Sequence, residues 1–174
     1  MKKITRFITH LVFRPNQFKK KQIKRFASLV RDKKILEIGS GKTEGGKYYY
    51  SCKPYFDESN EFIQSDINPD FGHKVVDVTN MDYDQEFDVI LFTNVLEHVF
   101  DYQKAIDSLY KAVKEEGTLV VMIPGLYPLH DEPHDYWRFT EHALRKIFNK
   151  FGEVKLKHSG IRQFPFAYYI EARK

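Results

Sequence analysis

Between positions 130 and 138 the chain sets His130, Asp131, His134, Asp135 and Arg138 beside Tyr136 and Trp137. Histidine titrates near neutral pH and can take a proton from a hydroxyl. His134 first and His130 second are therefore the candidate bases, with Asp135 as the partner that orients the ring. Two histidines, three acids, an arginine and several rings are more than a connector needs, although Trp137 and Phe139 also suit packing and Arg138 suits pairing with an acid. A second chemical feature lies far upstream, where the apolar run Ile35–Ile38 meets Gly39-Ser40-Gly41. Glycine has no Cβ, so a turn of this kind lets a nucleotide-like ligand approach the backbone closely. A dinucleotide fingerprint needs a third glycine where this chain has Glu44. Glu37, two places before the first glycine, complements an amino group or a sulfonium and repels a pyrophosphate. Both departures weigh against a nicotinamide-dependent oxidoreductase.

These residues must be positioned by regular elements, and the chain offers an alternating series. Ile35–Ile38, Phe62–Asp66, Lys74–Val78, Phe87–Phe92 and Thr118–Ile123 read as short strands. A helix over 16–30 carries Ile23, Phe26, Ala27 and Val30 on one face. A second begins at the N-cap Asp101 and stops at Gly117, with Ile106, Leu109, Tyr110 and Val113 as its stripe. A third follows the N-cap Thr140, with Leu144, Ile147, Phe148 and Phe151 on its inner side. Residues 44–60, polar and aromatic, read as a short irregular helix. Strands alternating with helices specify an α/β, Rossmann-like, doubly wound and mostly parallel sheet with flanking helices. Its ligand crevice lies beyond the carboxyl ends of the strands. Val154–His158 and Phe166–Ala172 alternate as the last two strands, one of them antiparallel.

Several motifs together resemble one family. Glu37-x-Gly39-x-Gly41 resembles the first motif of the class I S-adenosylmethionine-dependent methyltransferases, with Thr43 at the third glycine position and Gly45 and Gly46 just beyond. Val95-Leu96-Glu97-His98-Val99 resembles the segment after strand four in the small-molecule branch. His134-Asp135-Tyr136-Trp137-Arg138-Phe139-Thr140 resembles methyltransferases of the type-11 kind. The resemblance implies a seven-stranded sheet and S-adenosyl-L-methionine as cofactor. It implies that Asp66, followed by Ile67, accepts hydrogen bonds from both ribose hydroxyls. It implies further that Asp77 takes the adenine amino group and that the amide of Val78 meets a ring nitrogen, with turn-capping as the plainer role of Asp77. Glu37, Gly39, Ser40, Gly41 and Asn94 complete the implied cofactor set. The expected acceptor is an oxygen of a small molecule or saccharide.

The Asn/Asp-Pro-Pro-Tyr motif of amino-methylating nucleic-acid enzymes is absent, which weighs against DNA or an adenine amine and leaves RNA or protein oxygen substrates untouched; nucleic acid is not the expected partner. Some methyltransferases hold a divalent metal with Glu-x-x-Glu-His. Here Asn94 stands in place of the first acid, and a neutral amide weakens a hard-cation site. No metal site is expected, and Glu97 and His98 are assigned to packing and hydrogen bonding at a helix start.

A chain of 174 residues suits one domain with a full core. Its single cysteine, Cys52, allows no internal disulfide and fits a reducing cytoplasm. No apolar run reaches the ~18 residues of a membrane span. Twelve of the 28 Lys and Arg fall in residues 1–34, against one acid, Asp32, so a basic arm precedes an acidic body. Residues 1–33 are accordingly read as a basic helical segment, and 34–174 as the cofactor-binding domain. Ile4, Phe7, Ile8, Leu11 and Val12 give the arm an amphipathic helix that ends at Pro15. Two readings stand for it: a lid docked on the body, or a helix lying on an anionic membrane surface at the inner face. The alternative to an enzyme is a non-catalytic cofactor-binding module that holds a membrane or polyanion through the arm.

Overall fold

Alternation of side chains across one sheet divides the interior in two. Strand β1 (Lys34–Ile38) sends Leu36 and Ile38 to one face and Ile35 to the other. In the computed structural model, which describes residues 16–44, 47–48 and 50–174, the helix predicted over 4–12 lies outside the described residues, as does its lid-or-membrane question. Residues 16–27 form helix α1. Its buried Ile23 and Ala27, with Val30 just beyond, cover the Ile35 face. Lys20 and Lys21 are exposed, Lys24 places its Nζ 5.6 Å from the centre of the Tyr55 ring, and Arg25 pairs with Glu171 at 2.9 Å.

After β1 the chain forms a small antiparallel pair, β2 (Thr43–Glu44) and β3 (Lys47–Tyr48), then one 3-10 turn at Lys53–Tyr55. This replaces the irregular helix expected over 44–60. Here the buried carboxylate of Glu37 holds Ser51 and Cys52 against the end of β1. Strands β4 (Glu61–Asp66), β5 (Lys74–Val75) and β6 (Phe87–Thr93) follow. The predicted third strand therefore shrinks to two residues, and Asp77 lies in the loop beyond it rather than at a strand end.

Helix α2 (Tyr102–Ala112) starts where Asp101 accepts a hydrogen bond from the Lys104 amide. It ends at Ala112, before the expected Gly117, because Val113 already pairs with Phe87 as the first residue of strand β7 (Val113–Pro124). Its stripe of Ala105, Ile106, Leu109 and Ala112 is buried against Leu36, Ile90 and Leu119. A fully buried Leu or Ile contributes about 1.5–3 kcal/mol, so this face outweighs the polar one in fixing the helix. Helix α3 (Glu141–Ile147), capped by the Thr140 side chain, adds Leu144 and Phe148 to the same layer. Strands β8 (Glu153–Ile161) and β9 (Phe164–Arg173) close the chain.

The sheet has seven strands in the order β5-β4-β1-β6-β7-β9-β8. Its first five run parallel, and β9 is antiparallel to both β7 and β8. Helices on both faces make it the Rossmann-like α/β sheet expected, with a mixed edge. Because β9 runs backwards, its first residues reach the rim where the parallel strands end. There the amides of Gly125 and Leu126 donate to the carbonyls of Phe166 and Pro165 at 2.9 and 2.7 Å. Among the described residues no helix is long and apolar enough to cross a membrane.

Candidate active site

The carboxyl ends of β1, β4, β6 and β7 converge on one rim, and the glycine turn lies at its centre. Gly39 has φ +77°, and a Cβ there would sit 2.3 Å from Cγ2 of Val95, so only glycine lets the turn pack against the loop after β6. The Gly41 amide donates to Oδ2 of Asp66 at 2.9 Å. Asp66 Oδ1 accepts from the Asn68 amide at 3.0 Å. One carboxylate thus joins the turn to the end of β4, and a carboxylate with about four acceptor positions keeps two for other donors. Ile67, next in sequence, is exposed at the rim.

Glu37 is buried and surrounded by donors. It accepts from the Ser40 and Ser51 hydroxyls and, at 2.5 Å, from the Cys52 amide. What it holds directly is therefore the loop that follows the turn. Ser40 is itself buried, its amide donating to the Ser65 carbonyl at 2.9 Å. Burial also pushes the Cys52 thiol up to about 12, so this cysteine is a packing residue.

Asp77 is exposed, and its Oδ1 accepts from the amide and hydroxyl of Thr79 at 2.9 and 2.8 Å, while Val78 is buried in the core. The side chain thus makes the turn-capping contact and retains one oxygen for another donor. Asn94, at the end of β6, has φ +55° and an exposed side chain, and its amide donates to the Met122 carbonyl at 2.9 Å. Asparagine tolerates that left-handed backbone better than most residues do.

The loop after β7 folds back over the end of β6. The amides of Tyr136 and Trp137 both donate to the Glu97 carbonyl, at 2.9 and 3.2 Å, and the Trp137 indole donates to the Val99 carbonyl at 3.1 Å. Arg138 fastens the loop to itself. Its guanidinium grips Asp135 through two bonds of 2.6 and 2.7 Å and reaches the Pro128 carbonyl at 3.1 Å. The Asp135 side chain is 1 % exposed, and the guanidinium holds its carboxyl well below the usual carboxylate range.

The loop sorts the two histidines. Asp135 meets His130, accepting from its backbone amide at 2.9 Å and lying 3.2 Å from its Nδ1. It does not orient His134, which is exposed and lies 2.8 Å from the Tyr136 hydroxyl through Nδ1. Of the two candidate bases, Asp135 therefore contacts His130 and not His134. Beside His130, and missed as a unit in the sequence, stand His98 and the wholly buried Glu97. Burial pushes the Glu97 carboxyl up to about 8.

Known proteins share this family and this fold. The family described as methyltransferase domain matches residues 10–159. The fold is similar to that of a SAM-dependent methyltransferase from Archaeoglobus fulgidus, with TM-score 0.68, 19 % identity, and coverage of 91 % of this chain and 94 % of that one. It is also similar to a Burkholderia thailandensis 1,6-didemethyltoxoflavin-N1-methyltransferase with bound S-adenosylhomocysteine, with TM-score 0.62, 18 % identity, and coverage of 98 % and 86 %. The CurJ carbon methyltransferase aligns with TM-score 0.61 and 17 % identity over 82 % of this chain, which spans 48 % of that protein. No curated protein matches the sequence. The nicotinamide alternative is thereby set aside, and the chain belongs to the methyltransferase domain family, as an enzyme that uses S-adenosylmethionine.

Proposed function

We propose that the protein transfers a methyl group from S-adenosylmethionine to an oxygen of a small molecule, with a saccharide hydroxyl as the model acceptor. Asp66 binds the ribose through its two remaining acceptor positions, Asp77 and the Val78 amide meet the adenine, and Ile67 packs on the nucleoside. Glu37, Gly39, Ser40, Gly41 and Asn94 form the turn and the strand end that the methionine part follows.

The observation that carries the acceptor reading is the grouping of His130, from the loop over 126–139, with Glu97 and His98. An amine that binds uncharged needs less help, whereas a hydroxyl has to lose its proton as it attacks. In the transfer the sulfur–methyl bond breaks with its electron pair left on sulfur. The oxygen–methyl bond forms in line with it, and the hydroxyl proton passes to the imidazole cluster. Products are the methyl ether and S-adenosylhomocysteine. The enzyme's part is alignment and proton removal, since the sulfonium is already activated.

The test is incubation with S-adenosylmethionine labelled with carbon-13 at its methyl group and a panel of hydroxylated compounds beside their amino counterparts. A carbon resonance of an O-methyl product, weakened more by His130→Gln than by His134→Gln, is the expected result. Methyl groups appearing only on nitrogen or carbon would overturn the oxygen assignment. Tight cofactor binding without turnover on any acceptor would favour the cofactor-binding module instead.

A further inference from the structure

Glu97 is fully buried, and neither of its carboxylate oxygens has a hydrogen-bond partner among the described residues. An isolated carboxylate is costly to bury, and a buried polar group without a partner calls for an explanation such as a missing ion. Two imidazoles face it. Nε2 of His98 and Nε2 of His130 each lie 3.9 Å from Glu97 Oε1, and the three donor atoms fall within 4.8 Å of one another.

The second nitrogen of each ring is already committed. His98 Nδ1 lies 3.0 Å from the His134 carbonyl oxygen. His130 Nδ1 lies 3.2 Å from both the Pro128 carbonyl and Asp135 Oδ2. Arg138 Nη2, 3.5 Å from that nitrogen, is directed at Asp135 and Pro128. Oxygens that can only accept place the proton on Nδ1 in both rings, so both Nε2 lone pairs turn toward Glu97. Metal-binding histidines are commonly oriented in this way, by an oxygen that holds the other ring nitrogen.

We propose that Glu97, His98 and His130 bind a divalent first-row transition-metal ion. Two imidazole nitrogens and one carboxylate suit Zn(II), Co(II) or Fe(II) and leave an open position, whereas Mg(II) prefers oxygen and water. A tetrahedral ion ~2.1 Å from each donor would hold them ~3.4 Å apart, so the observed spacings need only modest side-chain rotation. Asp131, whose Oδ2 lies 3.9 Å from His98 Nε2, offers a further oxygen at the solvent side. The charges of the neighbouring Asp135–Arg138 pair offset each other. Asn94, exposed at the end of β6, is not among the ligands; His130 from the loop after β7 completes the set that the sequence motif lacks.

The existence of the site is independent of the methyl acceptor, but its role rests on the oxygen-transfer reading. Its open position would receive the acceptor oxygen and ease loss of its proton, which would pass to solvent water rather than to the imidazoles, with His130 then acting as ligand rather than as free base.

The full chain, stripped of metal, is titrated calorimetrically with ZnCl2, and with CoCl2 to read the visible absorption of bound cobalt. Binding of one ion per chain, unaffected by excess MgCl2, is the expected result. Glu97→Gln, His98→Gln and His130→Gln should each weaken it by at least about 100-fold, beyond the 10–100-fold typical of outer partners. His134→Gln should leave it within about threefold. Failure to bind Zn(II) at millimolar concentration, or equal binding by Glu97→Gln and His130→Gln, would overturn the proposal. Glu97→Gln removes a buried charge and keeps the shape, so it serves if a histidine variant does not fold. S-adenosylhomocysteine binding, measured on the same metal-free samples, separates loss of the ion from loss of the methyltransferase site.

Discussion

Asp66→Ala tests whether one carboxylate serves both the glycine turn and the cofactor. In the structure Asp66 is largely buried and accepts from the amides of Gly41 and Asn68 at 2.9 and 3.0 Å. Hydrogen bonds to a charged acceptor are worth about 1.5–3 kcal/mol each. Two ribose hydroxyls at the lower figure give about 3 kcal/mol, or about a hundredfold in affinity. The two released backbone amides should also lower the unfolding free energy by about 2 kcal/mol. These effects can be separated. Calorimetry with S-adenosylhomocysteine and with an analogue lacking both ribose hydroxyls forms a cycle on the wild type and the variant. The wild type should prefer the natural ligand by about a hundredfold, and Asp66→Ala should bind both about equally. A folded variant that keeps the wild-type preference would refute the ribose assignment, whatever its stability.

Three other substitutions probe the same frame. Gly39→Ala drives a methyl group to 2.3 Å from Val95 Cγ2 at a residue with φ +77°. It should abolish S-adenosylhomocysteine binding in calorimetry, and adding Val95→Ala should restore stability only in part, since the backbone strain of about 1–2 kcal/mol remains. Cys52 should resist Ellman's reagent at pH 8 until denaturant is added, because burial pushes its thiol up to about 12. Its raised folded value makes stability fall as pH climbs from the unfolded thiol's ~8.5 toward about 12, by about 1.4 kcal/mol per unit, and Cys52→Ala should remove that part of the slope in alkaline denaturation curves. Arg138→Lys should lose the two-pronged grip on Asp135 and lower the melting free energy by about 2 kcal/mol, with acceptor KM rising while S-adenosylhomocysteine affinity holds.

The sheet was legible because its strands alternate or run apolar without interruption, as in Ile35–Ile38 and Thr118–Ile123, and because Asp101 and Thr140 mark helix starts in the expected way. The segment after the glycine turn was not. Its path is set by Ser51 and Cys52 closing on a carboxylate from an earlier strand, a contact without local periodicity. Asp77 shows the same limit, since two residues of strand cannot be told from five when a loop takes over the pairing. His130 and His134 were ranked by residue type alone. What separates them is Arg138, which turns Asp135 toward one of them through contacts spread over the loop. Glu97 carried no sequence signal of isolation, because lack of a partner is a property of the packed surroundings.

The reversed strand β9 also has a bearing on how such an enzyme could change its diet. Running against its neighbours, it brings the tight bend at Arg162 and Gln163 to the mouth of the crevice, and Arg162 ties that bend to Glu141 at 3.1 Å. Gly125 and Leu126 lean on the strand's first residues, so the bend is a second handle on the opening. Lengthening or recomposing it would reshape the entrance from the far edge of the sheet, while the half built from β1 and β4, where the cofactor is proposed to bind, stayed untouched. Selection could thus trade one acceptor for another by editing a hairpin tip, without rebuilding the part that makes the chemistry possible.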